Sequence, residues 1–357
     1  MTVASVKFVA TRLAHPPLLI GIGTLVLAEA LLPVLGLLVP IRWLLRGWLV
    51  AFAVWSCIPV GSMVLLLIHR LTGGEWGGAA GPILRPAAAM MPLVVLAFLP
   101  VMVGMSDIYP WAANPTAIPA DVARWYLNEL SFLIRTLIAV AGWSLLAAIF
   151  GAALGSRLLA GLGLAFFGLT ISLVAVDWFL SLEPRYVATA FAAMIAVQQL
   201  LAALAVAAVI GGATIDGKVA GDIGGLLIAT LLGVAYLELM TFVVAWYGDL
   251  PDKAAWFLQR STSVWIGVLS AAVLLGAALP FAMLIVKAIR NSRRGLRLAA
   301  SLILFGTVLH FAWLLVPAFD AQPAVVAVAC VVLAVLALVS LVIGSALPPL
   351  LDARHAE

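Results

Sequence analysis

The sequence predicts an all-α protein that crosses a membrane many times. Of its 357 residues, 66% are hydrophobic and only 10% are charged, whereas an ordinary soluble domain carries about 25% charged residues. The mean hydropathy is +1.23. Apolar runs of about 18 residues or more recur along the chain, and runs of that length are typical of transmembrane helices.

The apolar runs, divided at their breaks, predict about ten transmembrane helices. Most of the connections between them are short, but residues 106–127 and 248–262 form two longer polar connections. The predicted helices cover residues 17–39, 47–68, 87–105, 128–151, 158–182, 187–211, 223–247, 263–286, 298–318 and 324–346.

The two long connections resemble each other, which predicts an internal repeat. "PADVARWYLN" ends the first and "PDKAAWFLQ" ends the second, each with a Trp-aromatic-Leu-amide run. We therefore expect a single integral membrane domain over 1–357 that contains two four-helix bundles plus two flanking helices. The first bundle covers 47–182, the second covers 187–286 and 298–318, and the flanking helices are 17–39 and 324–346. Two interfacial belts of aromatic residues would produce the same similarity, so that interpretation stays open.

The Lys and Arg residues predict the orientation in the membrane, because cytoplasmic loops carry an excess of them. With a cytoplasmic N-terminus, 12 of the 19 basic residues fall in cytoplasmic segments, 6 fall outside and Arg135 lies within a helix. Both chain termini and the run "KAIRNSRRGLR" are therefore expected in the cytoplasm, with both long connections outside. The basic residues are scattered between apolar segments, which gives no indication of a nucleic-acid partner.

Ionisable residues inside the predicted helices are the first functional candidates, since each costs about 2.5–3.5 kcal/mol at a helix centre. Arg135 and Asp177 lie at similar depths in two consecutive antiparallel helices, so we expect contact between them. One interpretation is a buried ion pair that fixes helix register, and the other is an outer element of a proton or quinol-head path. The full set is Glu29, Arg135, Asp177, Glu238 and His310, with Glu129 at the outer mouth of its helix.

Glu238 lies in "YLELMTF", near Tyr236 and one helical turn before Thr241. The spacing predicts a polar file along the helix, and membership of a proton path stays open. No basic partner is expected at the depth of Glu238, which favours its protonated form. For Glu29 the favoured interpretation is a hydrogen bond to a neighbouring helix.

The histidines argue against a haem in this chain, because a membrane b-type haem usually needs two at matching depth. Of His15, His69, His310 and His355, only His310 lies deep in a predicted helix. The Gly-rich "LTGGEWGG" lacks the lysine of a phosphate-binding loop. No spacing of catalytic triad or metal-ligand residues occurs, so no catalytic or metal site is expected.

Five segments together resemble the F subunit of alternative complex III, which is similar to the NrfD-like polysulfide-reductase membrane anchors. They are "HRLTGGEWG", "RPAAAMMPLVVLAFLPVMVGMSDIYPW", "WYLNELSFLIR", "DWFLSLEP" and "WYGDLPDKAAWFLQR", in matching order over roughly residues 45–265. The sequence departs from the family pattern with Asp249 in place of Asn, Phe257 in place of Tyr, and "RYVATA" after "SLEP". The family-motif positions are His69, Gly73, Gly74, Trp76, Trp178, Asp249, Pro251, Trp256 and Arg260.

The resemblance implies a cofactor-free subunit of a respiratory quinol oxidoreductase in the bacterial cytoplasmic membrane. The haems and iron–sulfur clusters are then expected in partner subunits, an iron–sulfur subunit and a multihaem cytochrome c. A second NrfD-like subunit and a terminal oxidase are further expected partners. It implies a role in assembly and proton conduction, and leaves menaquinol or ubiquinol open as the quinol.

Two other function classes fit the same composition. About ten helices, a repeat and buried acids also suit a proton-coupled secondary transporter, although such repeats are often inverted. A purely structural membrane anchor, whose acids are satisfied by neighbouring side chains, is the third interpretation.

Overall fold

The computed structural model describes residues 16–211 and 217–352, and all of the regular secondary structure in these ranges is helical. Nine helices in this part of the chain are long and apolar enough to cross a membrane. A tenth span arises if Glu75–Ala89 and Met91–Val103, which meet at a 42° bend, cross together. The predicted all-α, multi-pass architecture is therefore confirmed.

The main helices follow the apolar runs of the sequence. They are α1 (Pro16–Leu35), α2 (Ile41–Thr72), α3 (Glu75–Ala89), α4 (Met91–Val103), α5 (Glu129–Gly151), α6 (Arg157–Trp178), α7 (Phe191–Gly211), α8 (Gly217–Tyr247), α9 (Pro251–Gln259), α10 (Ser263–Val273), α11 (Leu279–Ile285), α12 (Arg293–Leu315) and α13 (Pro323–Asp352). A π-helical turn, Leu274–Ala278, joins α10 to α11. Shorter helical pieces are Met105–Ile108, Pro110–Ala113, Pro115–Ala117, Ala120–Trp125, Leu180–Leu182, Lys287–Arg290 and Val316–Phe319.

One predicted boundary is wrong. Residues 75–86 were expected to connect two spans, but they form most of α3. Their glycines, alanines and prolines resemble a connection in sequence, yet α3 buries Trp76, Ala80 and Leu84 as it packs on α2 and α5. Helix α4 then begins anew with Pro92 in its first turn, a position that needs no backbone donor.

The turn from α2 to α3 contains four of the motif residues. Gly73 and Gly74 have φ values of 71° and 102°, which L side chains rarely adopt. The His69 ring lies edge-on to Trp76, 5.1 Å between centroids, and its Nε2 is 3.1 Å from the Gly74 carbonyl oxygen. A Cβ at Gly77 would overlap the His69 ring. These residues therefore shape a compact turn.

The helices pack as two sets around α2. Helices α2 to α6, the N-terminal helix group, contact one another in sequence and across the group, and α7 to α12 form the C-terminal helix group. Helix α7 packs against α2 and so joins the two groups. Helix α13 also packs against α2, and α1 packs against α13. The division into two repeated bundles with the bounds given above stays a prediction.

The two long connections lie at one end of the molecule, as expected. Both contact the segment between α6 and α7, residues 179–190, which we call the linker. Trp111 donates from Nε1 to Ser181 Oγ (3.1 Å), and Trp256 donates from Nε1 to Glu183 Oε2 (2.8 Å). Which end faces the cytoplasm stays a prediction, and the chain termini lie outside the described residues.

Candidate functional site

Arg135 and Asp177 form the buried ion pair that their depths predicted. Arg135 donates from Nε to Asp177 Oδ2 (2.7 Å) and from Nη2 to Oδ1 (2.9 Å). The Asp177 side chain is fully buried, and that of Arg135 is 15% exposed. Because α5 and α6 are consecutive and antiparallel, the pair ties the N-terminal half of α5 to the C-terminal end of α6.

Tyr126 completes this first site at the start of α5. Arg135 Nη2 also donates to the Tyr126 carbonyl oxygen (2.9 Å), and its guanidinium lies 4.1 Å from the tyrosine ring centroid. Burial, and secondarily the Asp177 carboxylate, raises the pKa of Tyr126 to about 12. The phenol therefore stays neutral and serves as a face for the cation.

Trp178, next to Asp177, anchors the end of α6 in the core. Its indole donates to Thr136 Oγ1 (3.0 Å), and its ring lies 4.5 Å from Phe98 between centroids. The Tyr109 hydroxyl donates to the Trp178 carbonyl oxygen (3.1 Å). The Asp-Trp motif thus places one residue in an ion pair and the next in an aromatic cluster.

A second arginine–carboxylate pair, which the sequence analysis missed, joins the linker to the C-terminal helix group. Arg260 donates from Nη1 to Glu183 Oε1 (3.2 Å) and from Nη2 to Glu183 Oε2. The two arginine nitrogens also reach the carbonyl oxygens of Trp256 (3.1 Å) and Leu314 (2.8 Å). Burial lowers the pKa of Arg260, and the Glu183 carboxylate opposes that shift.

The two pairs have the same construction. In each, an arginine binds a carboxylate through two nitrogens, donates to the carbonyl oxygen of an aromatic residue, and lies over that aromatic ring. For Arg260 the ring is Trp256, 3.6 Å from the guanidinium carbon to the centroid. Tyr186 stacks on the other side of this cluster, 4.3 Å from Trp256 at 12°. Glu183 and Arg260 both lie in segments that resemble the family, "DWFLSLEP" and "WYGDLPDKAAWFLQR". That was the one feature of the sequence that pointed to this pair.

Asp249 and Pro251 shape the turn that leads into α9. Asp249 has a φ of 43°, in the left-handed region where Asp and Asn are the commonest non-glycine residues. Pro251 occupies the first turn of α9, where no backbone donor is needed. Both are exposed, whereas Trp256 and Arg260, which follow in the same motif, are buried.

Glu238 has a basic partner, so the prediction that it has none is wrong. Its Oε1 lies 2.7 Å from His310 Nε2 in α12, and the side chains are 27% and 12% exposed. This is an ion-pair distance, but the two groups are not oriented for a hydrogen bond. Glu238 Oε1, both His310 ring nitrogens and the Trp313 indole nitrogen have no hydrogen-bond partner among the described residues.

These groups line a cavity of about 710 Å³ inside the C-terminal helix group. Its walls come from α7, α8, α9, α10, the π-helical turn and α12. Arg260 is one of the lining residues, and Gln198 donates from Nε2 to Thr307 Oγ1 (2.8 Å), both of which also line the cavity. Most of the other lining side chains are apolar, and α12 contributes three of the polar ones, Thr307, His310 and Trp313.

The remaining predicted candidates lie apart from this cavity. Tyr236 is 61% exposed on α8, and Thr241 donates to the Leu237 carbonyl oxygen (2.8 Å). Glu238 therefore does not form the predicted file with them, because the rotation of α8 turns them away from the cavity lining. Glu129 is exposed at the start of α5. Glu29 in α1 has a buried Oε1 with no described partner, so the expected hydrogen bond is not seen for that atom.

Within 16–211 and 217–352, no group of three or more His, Cys, Asp and Glu residues is placed to hold a metal ion. The chemistry that the arrangement supports is proton exchange between a carboxylate and an imidazole in an apolar cavity. No protein-family model matches the sequence, and a comparison with curated proteins gives no significant match.

Proposed function

We propose that this chain is a membrane subunit of a bacterial quinol:cytochrome c oxidoreductase of the alternative complex III type. It contributes to assembly and to a proton path close to the quinone region. The haems and iron–sulfur clusters belong to partner subunits, namely a multihaem cytochrome c and an iron–sulfur protein. A second NrfD-like subunit and a terminal oxidase are further partners. The electron donor is menaquinol or ubiquinol.

The observation that carries the proposal is a contact, beside the cavity that Glu238 and His310 line, between two of the segments that resemble the family. "DWFLSLEP" and "WYGDLPDKAAWFLQR" lie 77 residues apart at Glu183 and Arg260, yet these two residues are in direct contact. Arg260 also lines the cavity. The segments that resemble the family and the titratable groups of the cavity thus lie side by side, which supports a proton path at this place in the molecule.

The proton path runs through the C-terminal helix group. Arg260 reaches the Leu314 carbonyl oxygen, and His310 lies one turn earlier in α12, about 6 Å along the helix axis. Thr307 follows after a further three residues. Ionisable groups inside a membrane span are costly and typically mark proton or ion pathways. The Arg135–Asp177 pair, which joins α5 to α6 and does not line the cavity, is assigned to holding helices together.

A proton-coupled secondary transporter is the second candidate, favoured by the 42° bend between α3 and α4. Transporters often build their binding sites from discontinuous helices. A transporter would act without redox partners, whereas a purely structural anchor would retain full activity after loss of Glu238.

The proposed location is the bacterial cytoplasmic membrane, with both termini in the cytoplasm. Reporter fusions after Arg294 and after Asp252 are then expected to give opposite signals. Equal signals from the two fusions would contradict this topology.

The variant Glu238→Gln tests the proton path in membranes of the native organism. Proton release coupled to quinol:cytochrome c reduction is expected to fall by on the order of tenfold or more, since a titratable group is lost, while the amount of assembled complex stays the same. Asp252→Asn, an exposed carboxylate at the start of α9, is the matched control and is expected to behave as the wild type. Unchanged coupling in a fully assembled Glu238→Gln complex would exclude the path.

A further inference from the structure

The cavity of the C-terminal helix group has the size of a small-molecule site. Its volume of about 710 Å³ lies within the roughly 300–1,000 Å³ typical of such sites. The charged side chains that line it are Glu238, Arg260 and His310. Arg260 pairs with the Glu183 carboxylate, and Glu238 Oε1 lies 2.7 Å from His310 Nε2. With one proton shared between Glu238 and His310, that pair has no net charge, and the cavity then offers no unbalanced charge to a ligand.

The entrance to the cavity is apolar and faces the membrane. Several lining residues on the outer surfaces of α8 and α10 are exposed and hydrophobic, among them Leu239 (56%), Phe242 (44%), Ile266 (51%) and Val273 (50%). Both helices belong to membrane spans. A molecule that enters between them therefore comes from the hydrocarbon region of the bilayer.

The inner end of the cavity carries buried polar atoms that lack partners. The Trp313 residue is 4% exposed, and its indole nitrogen has no acceptor among the described residues. His310 Nδ1 also has no hydrogen-bond partner among the described residues, whereas His310 Nε2 faces Glu238 Oε1. Since buried donors without acceptors cost free energy, this end is suited to a ligand with oxygen acceptors.

One wall of the cavity has an unusual backbone. The π-helical turn Leu274–Ala278 brings Gly276 against Gly306 so closely that a Cβ on either would overlap the other residue's Cα. Single π-helical turns are rare and frequent at functional sites. Here the turn places Gly276 and Ala277 in the cavity lining, and the shape of the wall depends on it.

We propose that this cavity binds one uncharged membrane amphiphile, whose oxygen-bearing head contacts Trp313 and His310 and whose hydrocarbon tail leaves between α8 and α10. Two sources share this chemistry: an isoprenoid quinone and a neutral acylglycerol. The proposal does not depend on the proposed function, because a transporter or an anchor subunit would contain the same site.

The test is photo-crosslinking of the full chain in lipid nanodiscs with a monoacylglycerol that carries a diazirine in its tail. Crosslinks are expected on peptides from α8 and α10 at the cavity entrance. Trp313→Phe, which removes the donor but keeps the ring, is expected to weaken binding about 2–10-fold, the value of one hydrogen bond. A headless diazirine alkane of equal length should be insensitive to the same change.

Ala235→Trp and Ala229→Trp form a matched pair on the exposed surface of α8. Ala235 lines the cavity and Ala229 does not. The first is expected to abolish the cavity crosslinks and the second to leave them unchanged. Because both positions are exposed, neither substitution disturbs the packed core, and the comparison remains informative if Trp313→Phe reduces folding.

Competition identifies the source of the ligand. Displacement by decylubiquinone supports a quinone, and displacement by unlabelled monoolein supports a neutral acylglycerol. Displacement by phosphatidylglycerol with the same efficiency, together with indifference to Trp313→Phe, would reduce the cavity to general lipid solvation and overturn the proposal. Absence of crosslinks from α8 and α10 would overturn it as well.

Discussion

Asp177 and Glu183 lie six residues apart in the chain, yet arginines from different helix groups bind them. Arg135 in α5 holds Asp177, and Arg260 after α9 holds Glu183. The segment between the two carboxylates begins the linker that joins α6 to α7. This short segment is therefore attached to the N-terminal helix group at Asp177 and to the C-terminal helix group at Glu183. Two ion pairs fix it in place.

The first prediction concerns the Arg135–Asp177 pair. Asp177→Asn and Arg135→Gln should each lower the free energy of unfolding by about 3–5 kcal/mol, because each leaves a buried charge without its partner. The double variant should recover part of that loss. Unfolding of the purified chain in detergent micelles measures all four proteins. Strictly additive losses would contradict the direct contact, since only distant sites usually add.

The double variant also separates structure from proton transfer at this site. With both side chains neutral, an assembled complex is expected to keep its coupled activity, because we assign the proton path to Glu238 and His310. If the double variant assembles but loses proton coupling, Asp177 takes part in the proton path and our assignment to Glu238 and His310 alone is wrong.

The second prediction concerns the shape of the Arg260 side chain. Arg260→Lys keeps the charge but loses the two-nitrogen contact with Glu183 and the stacking on Trp256. The free energy of unfolding should fall by about 1.5–3 kcal/mol, as for loss of a hydrogen bond to a charged group. Arg185→Lys, an exposed arginine of the linker, is the control and should change stability by about 0.5 kcal/mol at most. Equal effects in the two variants would contradict the described role of Arg260.

The third prediction concerns the contact between Gly276 and Gly306. Gly276→Ala should lower the free energy of unfolding by about 1–3 kcal/mol, because the added methyl group overlaps the neighbouring backbone. Gly267→Ala in α10 meets open space and should be neutral or stabilising, since alanine favours a helix. Thermal unfolding in matched micelles compares the two variants. A neutral Gly276→Ala would mean that the π-helical turn and α12 are farther apart than described.

The lengths of the apolar runs were enough to predict the all-α, multi-pass architecture. The depths of charged residues within consecutive helices were enough to predict one contact. The Arg135–Asp177 contact followed from them because consecutive antiparallel spans are usually neighbours. The start of α3 did not follow, because its small residues and prolines resemble a connection until its packing on α2 is known.

The Glu238–His310 and Glu183–Arg260 pairs required the tertiary structure. Each joins segments that are distant in sequence, and a contact of that kind depends on which helices are neighbours. The rotation of α8 about its axis also decides that Glu238 lines the cavity while Tyr236 is exposed. In a helix that is apolar on most sides, the pattern of charged residues specifies neither which helices are neighbours nor how the helix is rotated about its axis.

The optical spectrum of the affinity-purified chain tests the central claim most directly. From detergent-solubilised membranes of the native organism, the tagged chain should carry c-type haem bands from its multihaem partner and should reduce cytochrome c with added quinol. The same chain expressed alone in another host should show no Soret band. A haem-free, monodisperse chain from native membranes, or a stoichiometric haem in the isolated chain, would contradict the account.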